Sequence, residues 1–260
     1  VRVGDNGLIA EVVAADGLQE ARLSSSEVEW PSHCRGSEID AGGRLLLPGF
    51  VDAHVHLDKA HIHCRCRAET GDFAEALAET LAAKRDFTRE DIYARASRVI
   101  DDAVASGTTL LRTHAEVDDI LGLTAVEALL DLRSRYQDEI TIQVAAFAQE
   151  GITNIAGEVD LLRAAVRLGC DVVGSAPYTD WDGHANIRCV FDIAQEFDIP
   201  VDFHLDYHLG DEKPSLLAEV LNETHRRGWH GRVCLGHMTA LSSLAPHDLA
   251  AVAQELRQAR

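Results

Sequence analysis

The stretch PGFVDAHVHLDK, Pro48–Lys59, decides how the rest of the chain is read. Val51, Ala53, Val55 and Leu57 alternate with Asp52, His54, His56 and Asp58. A strand has a side-chain period of two, so each set faces one side. His54 and His56 therefore emerge together at the end of a short apolar strand, where two imidazoles can grip one metal ion.

Downstream, the pattern becomes regular. Phe73–Lys84 and Arg89–Ser106 have the Ala, Leu and Ile spacing of helices, and Thr88 with Glu90 and Asp91 supplies a cap and negative charge where free N–H groups favour both. The strand TTLLRTHAEV follows, ending at His114, and then helix Leu123–Tyr136. Strand ITIQVAAFAQ precedes helix Glu158–Leu168, stopped at Gly169, and strand DVVGSAPY precedes helix Ala185–Phe197. Strand VDFHLDY with helix Ser215–Arg227, and strand RVCLGHM with helix Leu241–Arg257, complete six strand-then-helix units. Strands apolar on both faces must be covered by helices.

Such a run predicts a β/α barrel over residues 48–260, because the glycine fingerprint of a doubly wound dinucleotide fold is missing after the first strand. Polar residues collect at strand C-termini, where a barrel keeps its chemistry. They are His54 and His56, then His114, Gln149, Tyr178 and Asp180, and finally His204, Asp206 and His237. An eight-stranded barrel needs two more units than are present, and the open lateral edges predict association between copies. Residues 1–47 read as short strands and turns of a partial, composite β-sandwich.

With 46% hydrophobic and 5% aromatic residues, the 260-residue chain has the composition of a globular protein. A net charge of -19 argues against nucleic acid and anionic membrane as partners. Neither a membrane-spanning run nor a secretory leader is evident, which predicts a cytoplasmic protein. Cys64 and Cys66 are too close together for a Cys-x-x-Cys metal knuckle, and Cys170 and Cys234 read as buried small hydrophobes.

His204, at the end of an apolar strand, can add a third imidazole to His54 and His56. His237 reads either as a further ligand or as the general acid and base for a bound water, whose pKa a metal lowers towards neutrality. Asp206 shares the strand parity of His204 and is a candidate acid. Gln149 offers both a donor and an acceptor to an amide-like ring edge. Lys59 either pairs with a carboxylate or polarises a substrate carbonyl. The remaining histidines, His61, His63, His208, His225, His230 and His247, read as loop or surface residues.

Taken together, LLLPGFVDAHVHLDK, LRTHAEVD, AFAQEGI, DVVGSAPY, VDFHLDY and GRVCLGHMTAL resemble the amidohydrolase superfamily, in order, from about Arg44 to Leu244. The nearest branch is the bacterial cytosine deaminase-like one, which includes N-isopropylammelide amidohydrolase. The resemblance implies a distorted (β/α)8 barrel of the metal-dependent hydrolases, incomplete at the C-terminus, with one divalent metal, zinc or iron. His54, His56 and His204 would be ligands, His237 would orient water or the leaving group, and Gln149 would bind a pyrimidine- or triazine-like ring. The fourth strand ends in SAPYTD without the lysine of binuclear members, which implies a mononuclear site.

The chain departs from that pattern twice. Tyr207 stands where cytosine deaminase has a proton-shuttling glutamate, and a phenol with a pKa near 10 is a poor substitute. The eighth-strand aspartate has no counterpart. The expected activity is therefore metal-dependent hydrolysis of a non-peptide carbon–nitrogen bond in a small heterocyclic substrate, with Tyr207 contacting a substituted ring. The alternative is a non-catalytic family member that binds metal or a partner.

Overall fold

Six parallel strands lie in sequence order in one sheet, successive strands being joined through helical connections. The computed structural model describes residues 2–3, 9–11, 44–67, 69–207 and 214–260, and the chain divides into two units, Val1–Pro48 and Gly49–Arg260. In the first unit, β1 (Arg2–Val3) pairs antiparallel with β2 (Ile9–Glu11). The composite β-sandwich expected there otherwise lies outside the described residues.

The second unit runs β3 (Phe50–Val55), α1 (Phe73–Lys84), α2 (Arg89–Ala105), β4 (Thr108–Glu116), α3 (Thr124–Arg135) and β5 (Thr141–Ala148). It continues with α4 (Glu158–Leu168), β6 (Val172–Ser175), α5 (Gly183–Phe197), β7 (Val201–Leu205), α6 (Leu217–Arg227), β8 (Val233–His237) and α7 (Pro246–Gln258). It is an incomplete β/α barrel with an open seam: β3 and β8 are its lateral strands, and both are more exposed than β6 and β7, which are buried throughout. Phe191 and Phe203 meet with ring centroids 5.9 Å apart in the core between α5 and the sheet. Burial of each such side chain contributes about 1.5–3 kcal/mol.

Local chemistry sets the element boundaries. The side chains of Asp72, Thr88 and Asp182 accept hydrogen bonds from Glu75, Asp91 and Ala185 N–H at the starts of α1, α2 and α5. Strand β4 continues two residues beyond His114, carrying Glu116 to the mouth of the barrel. Helix α6 starts at Leu217 rather than Ser215, because the Ser215 hydroxyl donates to Asp206 and accepts from Leu217 N–H at 3.2 Å. Similarly, α7 starts at Pro246, with a short 3₁₀ turn, Thr239–Ser243, before it. Proline is suited to a first helical turn, where its missing N–H costs nothing.

Candidate metal centre and active site

The two-residue strand period predicts that His54 and His56 share a face; the β3–β4 register, with Val55 beside Thr113, brings His114 next to them, and β7 supplies His204 to the same cluster. Each of the four offers one ring nitrogen, and those nitrogens lie within 4.8 Å of one another. The His54 ring centroid is 4.5 Å from that of His114 and 4.6 Å from that of His204, while His56 and His204 are 5.1 Å apart. Phe147 from β5 closes the apolar side of the cluster, 4.2 Å from the His204 ring and edge-on to His114 at 5.0 Å. His237, at the end of β8, approaches to 4.6 Å from His204 and 5.0 Å from His54. The curled sheet thus joins the ends of its first and sixth strands across the mouth.

Burial disfavours the charged form of His54, His56, His204 and His237. It pushes His54 down to about 4, with His114 and His237 adding to the effect. Burial likewise lowers His56, helped by Lys59, and His204 and His237, both helped by His114. His56 Nδ1, His114 Nε2 and His204 Nε2 are buried without a hydrogen-bond partner. Each such orphan costs about 1–3 kcal/mol unless something binds it. Converging, buried and unpartnered imidazole nitrogens fit a divalent zinc or iron ion.

Beneath the histidines lies a charged layer. Asp202 Oδ2 accepts from Arg112 Nη1 at 2.9 Å, and Arg112 Nε donates to Gln143 at 3.1 Å. Asp202 Oδ1 is 3.3 Å from His114 Nε2, near it but not aligned as a hydrogen bond. The Asp202 carboxyl stays below its ordinary value: burial opposes this, but His114 and Arg112 prevail.

A cavity of about 220 Å³ opens beside the cluster. His56, His204 and His237 line the side nearest the histidine cluster, and Lys59, Gln149 and Tyr207 also line it. Tyr207 meets the His237 ring edge-on at 5.2 Å and Tyr178 at 6.3 Å. Ala76, Leu77 and Thr80 of α1 form another wall.

The Asp206 carboxylate is turned to the start of α6, where it accepts from the Ser215 hydroxyl and from Leu216 N–H at 3.0 Å. Three non-glycine residues at the ends of β7 and β8 have left-handed backbones: Asp206 (φ 45°), His237 (φ 66°) and Met238 (φ 53°). Such conformations cost about 1 kcal/mol each and persist only when their surroundings enforce them. Here Met238 N–H donates to Leu205 O at 3.0 Å and Ala240 N–H to Asp206 O at 3.1 Å, bracing the turn that presents His237.

A second cluster lies beside the histidines. The buried Lys84 Nζ is 2.6 Å from Glu116 Oε2, 2.7 Å from Asp118 Oδ2 and 3.0 Å from Glu150 Oε1, and Lys59 pairs with the other Glu116 oxygen. Burial opposes the Glu116 charge, but Lys59 and Lys84 hold that carboxylate well below its ordinary range. Sequence reasoning named neither Lys84 nor Glu116. The available signal for Glu116 was its parity with His114, two residues earlier on the same strand. Lys84, at a helix end, carries the pattern of a surface lysine.

Residues 37–260 match the model of the amidohydrolase family. The chain belongs to that family. Among amidohydrolases it is 32% identical over 209 residues to N-isopropylammelide isopropyl amidohydrolase of Pseudomonas sp. (strain ADP), covering 77% of this chain and 51% of that protein. The structure of 5-methylcytosine deaminase from Klebsiella pneumoniae, liganded with 5-fluorocytosine, superposes with a TM-score of 0.77 at 29% identity, covering 86% of this chain and 56% of that one. N-isopropylammelide isopropylaminohydrolase from Burkholderia multivorans gives a TM-score of 0.71 at 28% identity, covering 81% and 54%. The chain spans about half the length of the curated relatives it matches. Among the described residues, no helix is long and apolar enough to cross a membrane.

Proposed function

We propose that this chain serves a metal-dependent hydrolase acting on a non-peptide carbon–nitrogen bond of a planar nitrogen heterocycle. The observation that carries the proposal is the set of converging, buried imidazole nitrogens without partners, beside a cavity lined by Gln149, Lys59 and His237. His54, His56 and His204 would hold one zinc or iron ion. When bound, that ion acts as a Lewis acid and makes a nucleophilic hydroxide available near neutrality. The six parallel strands are read as six of the eight in a (β/α)8 barrel, which is the architecture implied by the family.

Within that site, His237 is neutral at pH 7 and its backbone is fixed, so it can accept a proton and pass it to the departing nitrogen. Gln149, only 6% exposed, presents a donor and an acceptor to a ring amide edge. Lys59 directs an ammonium at a ring carbonyl. Tyr207 contributes an aromatic wall and a hydroxyl. The Asp206 carboxylate, through Ser215 and Leu216, fixes the turn that carries Tyr207.

A phenol in this place does not suit protonation of the ring nitrogen of a free base, which favours a substituted ring over cytosine. The test is a screen of the protein, loaded separately with zinc and iron, against cytosine, isoguanine, pterins, ammelide and N-alkyl ammelides. Ammonia and alkylamine release would be measured. We expect turnover of a substituted ring and little of cytosine; efficient cytosine deamination that survives Tyr207→Phe would overturn the assignment. Stoichiometric metal uptake with no turnover of any ring would favour a metal-binding protein without catalysis.

A further inference from the structure

Among the described residues, Lys59 has one carboxylate partner and Lys84 has three. Glu116 is common to both. It is held from two sides: it is the last residue of β4, in register with Phe147 of β5, and its N–H donates to Asp58 Oδ2 at 2.9 Å. The Glu116 side chain is only 2% exposed, and that of Lys59, which lines the cavity, is 19% exposed. A lysine on a four-carbon stem samples many rotamers unless a fixed anion selects one. Lys84, by contrast, is clamped by Asp118 and Glu150 as well, and Asp118 Oδ1 is itself fixed by the N–H groups of Ile120 and Leu121 at 2.9 and 2.7 Å.

We propose, resting on the reading of the cavity as a heterocycle site, that Glu116 is a positioning residue: one oxygen aims the Lys59 ammonium into the cavity and the other ties it to the buried Lys84. The tie extends to the cavity wall, because Lys84 ends the helix that supplies Ala76, Leu77 and Thr80. A glutamine at 116 is uncharged and, because the two lysines sit on different carboxylate oxygens, it turns its carbonyl oxygen to one ammonium and an NH₂ donor to the other. Lys84 then retains two carboxylates, whereas Lys59 retains none of those that bind it here. Loss of the Glu116 charge therefore releases one lysine and spares the other.

The test that needs no turnover is isotope-coded acylation of the intact protein, read by mass spectrometry at Lys59 and Lys84. In Glu116→Gln the Lys59 acylation rate should rise about fivefold or more, as expected when a charge-assisted bond is lost, with Lys84 unchanged. Glu116→Asp keeps the charge one methylene shorter and should give an intermediate Lys59 rate. An unchanged Lys59 in both variants, or equal gains at both lysines, overturns the proposal. The second readout is calorimetric binding of ammelide to the zinc-loaded protein. Glu116→Gln and Lys59→Met should each weaken it about tenfold, and the double variant no further, because the first residue acts through the second. Additive losses would overturn positioning. If the wild type binds no ammelide while the acylation pattern holds, it is the heterocycle reading that fails, and the Glu116–Lys59 geometry stands.

Discussion

Two donor clusters sit side by side at the mouth of the barrel, and their charges differ in kind. His54, His56, His114 and His204 bring nitrogens together, and so do the carboxylates of Glu116, Asp118 and Glu150 with oxygens; by spacing alone, either could hold a metal. The carboxylates already enclose the Lys84 ammonium, which burial opposes but Glu116 and Asp118 keep charged. Among the described residues no ion pair of that kind fills the imidazole cluster, and three of its nitrogens are unpartnered. Converging donors therefore mark a metal site only where the compensating charge is not already built into the chain. A buried charge needs pairing, and Lys84 supplies it for one cluster only.

The largest expected effect comes from breaking the self-compensated cluster. Lys84→Met leaves three carboxylates around an apolar side chain, and removal of one member of a buried ion-pair network costs about 3–5 kcal/mol. Urea denaturation should show that loss, and millimolar calcium should recover part of it in the variant but not in the wild type. A variant as stable as the wild type would mean that the cage does little to fix α1. The histidine cluster should behave in the opposite way. Zinc at a hundredfold excess over its Kd should stabilise the wild type by about 2.7 kcal/mol, and His56→Ala with His204→Ala should abolish the gain. Full zinc retention by that double variant in elemental analysis would dismiss these residues as ligands, whereas Lys84→Met should still take up zinc.

Glu158 sharpens the comparison, because it is a buried carboxyl near the cage that did not obtain a cation. Neither oxygen has a hydrogen-bond partner, and burial, followed by Asp118 and Asp119, pushes it from 4.5 up to about 8, with Lys84 partly opposing. The folded state thus holds this proton after the unfolded state has released it. Its contribution to stability is fully present below pH 4.5 and is lost as pH rises towards 8. Glu158→Gln should flatten that slope, leaving stability near that of the wild type at pH 5 but about 2 kcal/mol higher at pH 8.5 in calorimetry. A variant whose stability follows the wild-type pH dependence would show that Glu158 ionises freely.

The legible parts of the chain were those governed by periodicity. Alternation around His54 and His56, and apolar strands between amphipathic helices, announced the parallel sheet and its functional end because both follow from local geometry. His114 was visible as a strand-end histidine, yet its membership of the cluster depends on the β3–β4 register, which no single segment encodes. Asp206 shares strand parity with His204, but parity holds only while the strand continues. β7 ends at Leu205, and the left-handed backbone at Asp206 turns its carboxylate to Ser215 and Leu216. The Lys84 cage was illegible because its members come from three separate segments, α1, the end of β4 and the stretch after β5.

The smallest expected effect tests how closely the first and sixth strands must fit. Gly236 lies on β8 beside the His54 ring of β3, and a Cβ built there would sit 3.1 Å from His54 Cε1 and Nδ1. That contact is tighter than an ordinary van der Waals approach, so the ring must give way by a few tenths of an ångström. In a packed interior such a shift is resisted, because His54 also meets His114 at 4.5 Å and His204 at 4.6 Å. Gly236→Ala should therefore weaken zinc binding about tenfold, or roughly 1.4 kcal/mol, through a displaced ligand rather than a lost one. Competition with a chromophoric chelator measures this directly. The same substitution should leave Lys84 acylation unchanged, because the cage draws on α1, β4 and the segment after β5 and has no part on β8. Unaltered zinc affinity would show that His54 can move freely, and that the contact between the lateral strands is looser than the ring distances imply.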